Sequence, residues 1–167
     1  MRSAYNCPMA DWMRRASKFL GSRGTLLALN AYPPYVASGI RIIEVSSDLS
    51  KIVVQMGLHA WNRNFFGTQF GGSLYAMCDP FFLFQVLLQL GDDYVVWDKA
   101  ATITFKKPGT GTVRAQFDMP GSKIEELRSL AAGGLKVEPT FEVQVKDETG
   151  DVVAEVEKVL YIRLKRR

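Results

Sequence analysis

The chain is poor in the side chains that hold metal ions and disulfides. Its 167 residues include two cysteines, Cys7 and Cys78, and one histidine, His59. No CxxC motif and no Cys/His pairing is present, so we expect neither a disulfide framework nor a metal site. His59 falls in a predicted loop or strand end, and we assign it no catalytic role.

The chain also lacks an uninterrupted run of membrane-spanning length. Residues 73–90 are strongly apolar, but Asp79, Gln85 and Gln89 interrupt them, and Pro80 breaks or bends a helix. We interpret this run as the buried central helix of a soluble domain. The first residues carry no apolar stretch followed by small residues, so we predict no secretory signal and a cytoplasmic location.

Charge of one sign is not concentrated enough to indicate a macromolecular partner. The formal net charge is +4, part of it in the basic C-terminus, which we interpret as solvated. We therefore predict no nucleic-acid partner and no membrane partner. The length and the hydrophobic fraction of 47% fit one globular domain.

The spacing of apolar residues predicts an α+β fold. We expect an N-terminal helix over residues 10–20, ended by Gly21 and Gly24, and an extended or turning connector over residues 32–35. The elements that follow are a hairpin (40–45 and 52–56), a long helix (71–90), two strands (94–105 and 112–117), a short helix with a Ser122/Glu125 capping box (122–132) and two strands (141–146 and 152–164). Hairpin-linked strands indicate an antiparallel sheet with the long helix packed on it, in one domain over residues 1–167 with a helical extension over about residues 1–35.

The most informative segment joins a polar loop to the apolar helix. It runs from Asn64 through Phe70, Gly71 and Gly72 to Asp79. Two adjacent glycines allow a ligand to approach bare backbone N–H groups where a helix begins. A carboxylate inside a buried helix costs free energy unless it is paired or used. An acid, an amide side chain and a helix start in one segment indicate an acyl-transfer or hydrolysis site.

This segment and the order of elements resemble the hotdog-fold acyl-CoA thioesterases, especially the phenylacetate-pathway-like group. That group has an Asn, a His six residues later, a Gly-Gly pair, and an Asp seven residues past the second Gly. Asn64, Gly71, Gly72 and Asp79 occupy these places, and Phe70 stands in place of the His. The sequence FGGSLYAM over residues 70–77, followed by DPF over residues 79–81, is similar to that of an uncharacterised bacterial branch of this superfamily.

The resemblance implies a sheet wrapped around the central helix and a homodimer, or a dimer of dimers, with active sites between subunits. It implies that Gly71 and Gly72 donate hydrogen bonds to the thioester oxygen, that Asp79 acts as nucleophile or general base, and that Asn64 positions the thioester or the water. The expected substrate-binding residues are Phe70, Ser73 and Arg63. No cofactor is expected, and coenzyme A enters as part of the substrate. We expect Asp79 to lie buried beside a pocket.

Each assignment has a structural alternative. Asp79 before Pro80 also fits a cap of a second helical piece, the glycine pair fits tight packing of the helix start, and Asn64 fits a loop-stabilising side chain. Because Phe70 donates no hydrogen bond, we expect slow hydrolysis. The alternative function is a non-catalytic hotdog protein that binds an acyl or aromatic ligand. A hotdog dehydratase is disfavoured because no His–acid pair can be placed.

Overall fold

Six antiparallel strands form one sheet in the computed structural model, which describes residues 8–165. The strands are β1 (Ile40–Val45), β2 (Lys51–Met56), β3 (Tyr94–Phe105), β4 (Val113–Asp118), β5 (Thr140–Asp147) and β6 (Val152–Leu164). Their order across the sheet is β1-β2-β4-β5-β6-β3. The predicted α+β class is confirmed, and each predicted strand is present with its ends within one residue.

Five helices accompany the sheet within the described residues. They are α1 (Pro8–Ala28), α2 (Pro33–Ser38), α3 (Gly71–Ala76), α4 (Phe81–Leu90) and α5 (Gly121–Ala131), with a short 3-10 turn over Leu29–Ala31 between the first two. Helices α3 and α4 together form the predicted central helical segment. The sheet therefore packs against the one segment of the chain that is apolar almost throughout.

Alternation of apolar and polar residues builds the inner face of the sheet. In β4 and β5 every second residue is buried: Val113, Ala115, Phe117, Phe141, Val143 and Val145. The ring of Phe117 lies 5.0 Å from that of Phe81 and 5.2 Å from that of Phe82, both in α4. A period of two along the strands thus gives a continuous apolar face that contacts the helix.

The central segment is divided where the chain carries Pro80. Helix α3 ends at Ala76 and helix α4 begins at Phe81. Proline has no amide hydrogen to donate to the preceding turn, so one helix cannot continue through it. The predicted bend or split at Pro80 is confirmed, and it places Asp79 in the turn between the two helices.

This central segment is long and apolar enough to cross a membrane when judged by length and composition alone. Over its most apolar window, however, 61% of the residues are buried inside the domain. The segment Gly71–Leu90 is therefore the core helix against which the sheet packs.

The N-terminal segment departs from two predictions. Helix α1 is interrupted at Gly21, where φ is 71° and ψ is 159°, but it resumes and continues to Ala28, so the prediction that Gly24 ends it is wrong. The predicted connector over residues 32–35 is also wrong, because Pro33 begins α2 and only Tyr32 before it is extended. The fixed φ of proline suits the first turn of a helix, which the extended interpretation overlooked.

A side chain anchors this segment to the sheet. Asn30 donates from Nδ2 to the carbonyl oxygen of Ile42 at 3.0 Å and accepts the Ile42 amide on Oδ1 at 2.7 Å. This pair of bonds occupies a backbone position on β1, an edge strand. The residues that follow Asn30 are thereby held close to the turn between α3 and α4, where the Tyr35 ring lies 6.3 Å from that of Phe81.

The predicted capping box of the short helix is wrong. Helix α5 begins at Gly121, one residue before Ser122, and no side-chain hydrogen bond caps it. Pro120 precedes it in an extended conformation, with φ of −64° and ψ of 150°. Ser122 therefore lies inside the first turn, where its hydroxyl cannot serve as the cap.

Strand β3 is a long edge of the sheet. It pairs with β6 on one side and has no neighbouring strand on the other within residues 8–165. Its second half is exposed on both faces, including Ala100, Ala101, Thr102 and Phe105. An uncovered edge of this length is a template for pairing with another strand.

The aromatic core generates a stability prediction. Phe117→Ala should lower the free energy of unfolding by about 3–5 kcal/mol, because the ring is fully buried against two other rings and its loss leaves a cavity. The matched change Phe66→Ala removes a ring that is 90% exposed, and it should alter the free energy of unfolding by no more than about 0.5 kcal/mol. Urea denaturation of both variants checks this, and equal effects would contradict the packing described.

Candidate functional site

A cavity of about 700 Å³ opens between the N-terminal segment and the turn that joins α3 to α4. One wall comes from the end of α1 through α2, and the other from α3, α4 and one residue of β3. Its lining residues are Ala28, Leu29, Ala31, Tyr32, Pro33, Pro34, Tyr35, Tyr75, Ala76, Asp79, Pro80, Leu83, Phe84 and Asp98. The lining is therefore apolar and aromatic apart from two carboxylates and the tyrosine hydroxyls, which is the usual character of a small-molecule site.

A cluster of four polar side chains lies at this cavity. Asp79 accepts hydrogen bonds on Oδ1 from the Tyr75 hydroxyl, at 2.6 Å, and from the Lys158 ammonium. The Lys158 Nζ also lies 3.1 Å from the Tyr75 oxygen and 3.1 Å from Oδ1 of Asp98. Helix α3, the turn after it, β3 and β6 each contribute one member, so the cluster joins the central helix to the sheet.

The two oxygens of Asp79 differ. Both donors reach Oδ1, whereas Oδ2 accepts no hydrogen bond from residues 8–165. The Asp79 side chain is 45% exposed, so the prediction that it is buried is wrong for the single chain, although it does line a cavity as expected. Helix α4 has no side-chain cap, which removes the capping interpretation of Asp79. One carboxylate oxygen is thus fixed and the other is available to a ligand.

The protonation states within the cluster follow from burial and charge. Burial lowers the pKa of Lys158, but the hydrogen bond to Asp79 and the charge of Asp98 outweigh it, and the pKa is raised overall. Burial raises the pKa of Asp98, against the opposing effect of Lys158. Burial and the bond to Asp79 raise the pKa of the Tyr75 hydroxyl. Lys158 is therefore a cation and Tyr75 a neutral donor near neutral pH.

Asn64 is used inside its own loop. Its Oδ1 accepts the amides of Phe66 and Thr68, at 2.9 and 3.1 Å, and its Nδ2 donates to the Thr68 hydroxyl and the Gln69 carbonyl. It does not line the cavity of Asp79. The structure therefore gives Asn64 the loop-stabilising role that the sequence offered as an alternative to substrate positioning.

The glycine pair is held at the start of α3 by close packing. A Cβ atom on Gly71 would lie 2.9 Å from the Phe105 ring, and one on Gly72 would lie 2.6 Å from the Phe70 ring. The first α3 amide with a backbone partner belongs to Ser73, which donates to the Phe70 carbonyl. The amides of Gly71 and Gly72 have no hydrogen-bond partner among residues 8–165, as expected for a helix start.

The other predicted substrate-binding residues lie away from the cavity of Asp79. Phe70 is half-exposed over Gly72, Ser73 is buried at the start of α3, and Arg63 is exposed in the loop, where it pairs with Gln69. His59 stacks on Trp61 in the preceding loop, with ring centroids 4.4 Å apart. The structure therefore separates the predicted residues into a loop and helix-start group and the acid Asp79.

Sequence reasoning missed Lys158, Tyr75 and the wall formed by the N-terminal segment. A signal for Lys158 was present, because Val156, Leu160 and Ile162 occupy the buried alternate positions of β6 and Lys158 falls in the same row. A charged residue in an inward row must find a partner. No comparable signal identified the N-terminal wall, since it depends on how two distant segments pack.

Metal chemistry receives no support from the described side chains. Within residues 8–165 no group of three or more His, Cys, Asp or Glu residues approaches closely enough to hold a metal ion. Cys78 is buried and free, and burial raises its pKa to about 12. Cys7 lies outside the described residues.

An antiparallel sheet packed on a central helix, with the elements in this order, is the hotdog fold, and several known structures share it. A protein of unknown function from Pseudomonas aeruginosa, described as a probable thioesterase, gives a TM-score of 0.73 at 24% identity, covering 83% of this chain and 93% of that chain. A thioesterase from Haemophilus influenzae gives 0.61 at 13% identity, covering 85% and 90%. A mutant of the phenylacetic acid degradation protein PaaI from Thermus thermophilus gives 0.53 at 23% identity, covering 79% and 99%.

The chain belongs to the family described as a domain of unknown function, DUF4442, whose profile matches residues 21–162. It matches no curated protein. The predicted resemblance to hotdog proteins of the thioesterase and PaaI type is confirmed. At these identities the likeness shows the fold, and the reaction has to be argued from the site.

Proposed function

We propose that this protein hydrolyses an acyl-CoA or a related acyl thioester, with Asp79 as the general base or nucleophile. The observation that carries the proposal is the asymmetry of the Asp79 carboxylate at the wall of an apolar cavity. Its Oδ1 is fixed by Tyr75 and Lys158, and its Oδ2 is unpaired among the described residues. A fixed acid with one free oxygen beside an apolar pocket suits attack on a bound carbonyl group.

Two routes to hydrolysis can use the free Oδ2 oxygen of Asp79. As a base, Oδ2 takes a proton from water while the water oxygen bonds to the carbonyl carbon, the C–S bond then breaks, and the departing sulfur takes the proton. As a nucleophile, Oδ2 bonds to the carbonyl carbon and expels the thiolate, and water then hydrolyses the resulting anhydride. Both routes place negative charge on the carbonyl oxygen, which the amides of Gly71 and Gly72 are suited to bind.

The proposed site needs two subunits. Asp79 lies eight positions after Gly71, beyond the end of α3 at Ala76, and at about 1.5 Å per residue this helix alone covers on the order of 9 Å. One thioester carbon cannot contact both groups of a single chain across that distance. The exposed edge β3 supports a second copy of the chain as the partner, joined edge to edge so that the helix start of one subunit meets Asp79 of the other.

The cavity beside Asp79 is the proposed acyl site. Its apolar walls, with Leu83 and Phe84 on one side and Tyr32 and Pro33 on the other, suit an aliphatic or aromatic acyl group. Coenzyme A enters as the thiol part of the substrate, and no cofactor takes part. A cytoplasmic location, where acyl-CoA substrates occur, belongs to the same proposal.

One observation favours the alternative, a protein that binds an acyl or aromatic ligand without turnover. Phe70 stands where the related motif carries a histidine, and its ring covers Gly72. An apolar ring at this place donates no hydrogen bond, and the loss of one transition-state donor typically costs about a hundredfold or more in rate. If hydrolysis occurs, Phe70→His should increase its rate.

The first prediction for this function concerns Asp79. Asp79→Asn keeps the size of the side chain and an oxygen for Tyr75 and Lys158, but removes the base, so thiol release from a panel of acyl-CoAs should fall by about a hundredfold or more. Asp118→Asn is the matched control, because Asp118 is an exposed residue of β4 whose carboxylate accepts hydrogen bonds from Gln116. If the wild-type protein binds an acyl-CoA but releases no thiol, the hydrolase proposal fails and the ligand-binding alternative is supported.

The second prediction concerns assembly. Light scattering at micromolar concentration should give a mass of twice, or four times, the 18.7 kDa of the chain. The physical reason is the pairing of exposed β3 edges between two copies. A mass of one chain under these conditions would contradict both the dimer and a site shared between subunits.

The third prediction concerns the acyl group. Two carboxylates line the cavity, and the one cation among the described residues that contacts them, Lys158, already forms a salt bridge with each. An acyl group ending in a carboxylate would enter this net negative, apolar site without a partner. The kcat/KM for hexanoyl-CoA should therefore exceed that for adipoyl-CoA by more than tenfold. The two acyl groups have the same chain length, but adipoyl carries a terminal carboxylate. Equal values for the two would contradict the assignment of this cavity to the acyl group.

A further inference from the structure

Lys158 is the most deeply buried charged side chain of the candidate site. Only 1% of its side chain is exposed, and it occupies the inward row of β6 between Val156 and Leu160. Removing an ammonium group from water costs several kcal/mol, which well-placed partners must offset. Here the partners are Asp79, Asp98 and the Tyr75 oxygen.

Burial of this charge is not required by the packing of the sheet. The neighbours of Lys158 in its row are apolar, and an apolar side chain of similar volume in place of a buried ion pair is often neutral or stabilising. A lysine at this place is therefore accounted for by what it does to its partners. Of these, Asp79 is the one with a free oxygen at the cavity.

We propose that Lys158 is a positioning residue that, together with Tyr75, fixes Oδ1 of Asp79 and presents Oδ2 to the acyl cavity. The inference rests on the proposed function for its effect on turnover, but the arrangement of Asp79 is testable without turnover. Two donors on one carboxylate oxygen restrict rotation of the carboxyl group, and one of them is an opposite charge in direct contact with it.

Among the side chains that the structure describes, one cation faces Asp79. The titratable groups that face it come from every element packed around the turn: Tyr35 of α2, Tyr75 of α3, Cys78 beside it, Asp98 of β3 and Lys158 of β6. With Lys158 present, two carboxylates share one ammonium. Without it, Asp79 and Asp98 retain like charges with no cation among these groups, and protonation of one carboxylate becomes favourable.

The test compares Lys158→Met with Lys158→Arg. Lys158→Met removes the charge at similar length, so the acid limb of the pH dependence of kcat/KM should move to higher pH by about one unit or more. Lys158→Arg retains the charge, and its acid limb should stay close to that of wild type. Lys146→Met is the control, because Lys146 is an exposed residue of β5 on the outer face of the sheet.

A second variant covers the case in which Lys158→Met does not fold. Asp98→Asn removes the competing carboxylate and keeps Lys158, so the acid limb should move to lower pH. In the double variant Lys158→Met with Asp98→Asn, part of the upward movement should be reversed, since the like charge is gone. An unchanged limb in Asp98→Asn would contradict the electrostatic coupling of the two carboxylates through Lys158 on which the inference rests.

A ¹³C NMR titration of the Asp79 carboxyl group separates this inference from the proposed function. Its midpoint should move upward in Lys158→Met and downward in Asp98→Asn, whether or not the protein releases thiol. If wild type shows no hydrolysis but the midpoints move as expected, the function fails and the positioning of Asp79 by Lys158 stands. Folded variants whose midpoints match that of wild type would overturn the inference.

Discussion

Proline at position 80 has no amide hydrogen, and this constraint governs the arrangement of the core segment. Helix α3 ends before it and α4 begins directly after it, so the apolar segment fills the sheet as two pieces. A carboxylate in the middle of one unbroken core helix would be enclosed by apolar side chains. In the turn, Asp79 reaches the border of the core and the cavity instead. The packing of the core and the accessibility of the candidate acid thus follow from the same residue.

The ionic cluster balances the cost of this arrangement. Asp79 comes from the turn, Asp98 from the edge strand β3 and Lys158 from the inward row of β6. The ammonium group of Lys158, whose side chain is 1% exposed, would be unfavourable where it lies if it were alone. Together the three groups connect three elements distant in sequence, and they give the two oxygens of Asp79 different surroundings. The same contacts therefore stabilise the fold as ion pairs and orient the carboxyl group of Asp79.

The motif that carries the family resemblance divides into two parts in the folded chain. Asn64 closes its loop through four hydrogen bonds, and the glycines allow the rings of Phe105 and Phe70 to pack against the start of α3. Asp79 belongs to a separate cavity whose far wall is the N-terminal segment. The spacing of a motif along one chain therefore does not make its residues neighbours, and the proposed site shared between two chains would reunite them.

The sequence by itself determined the strands, the central helical segment and one member of the site. Alternation in the strands and the apolar run around Pro80 identified the sheet, the central segment and its break, because these patterns reflect which face of each element is buried. Asp79 was identified as a candidate because burying an acid within an apolar run costs free energy unless the acid is paired or used. Only the tertiary structure decided that Lys158 and Tyr75 meet Asp79, that Asn64 is used within its loop, and that residues 28–35 form a cavity wall. Those contacts join residues up to 83 positions apart, and packing in three dimensions, not local pattern, brings them within hydrogen-bond distance.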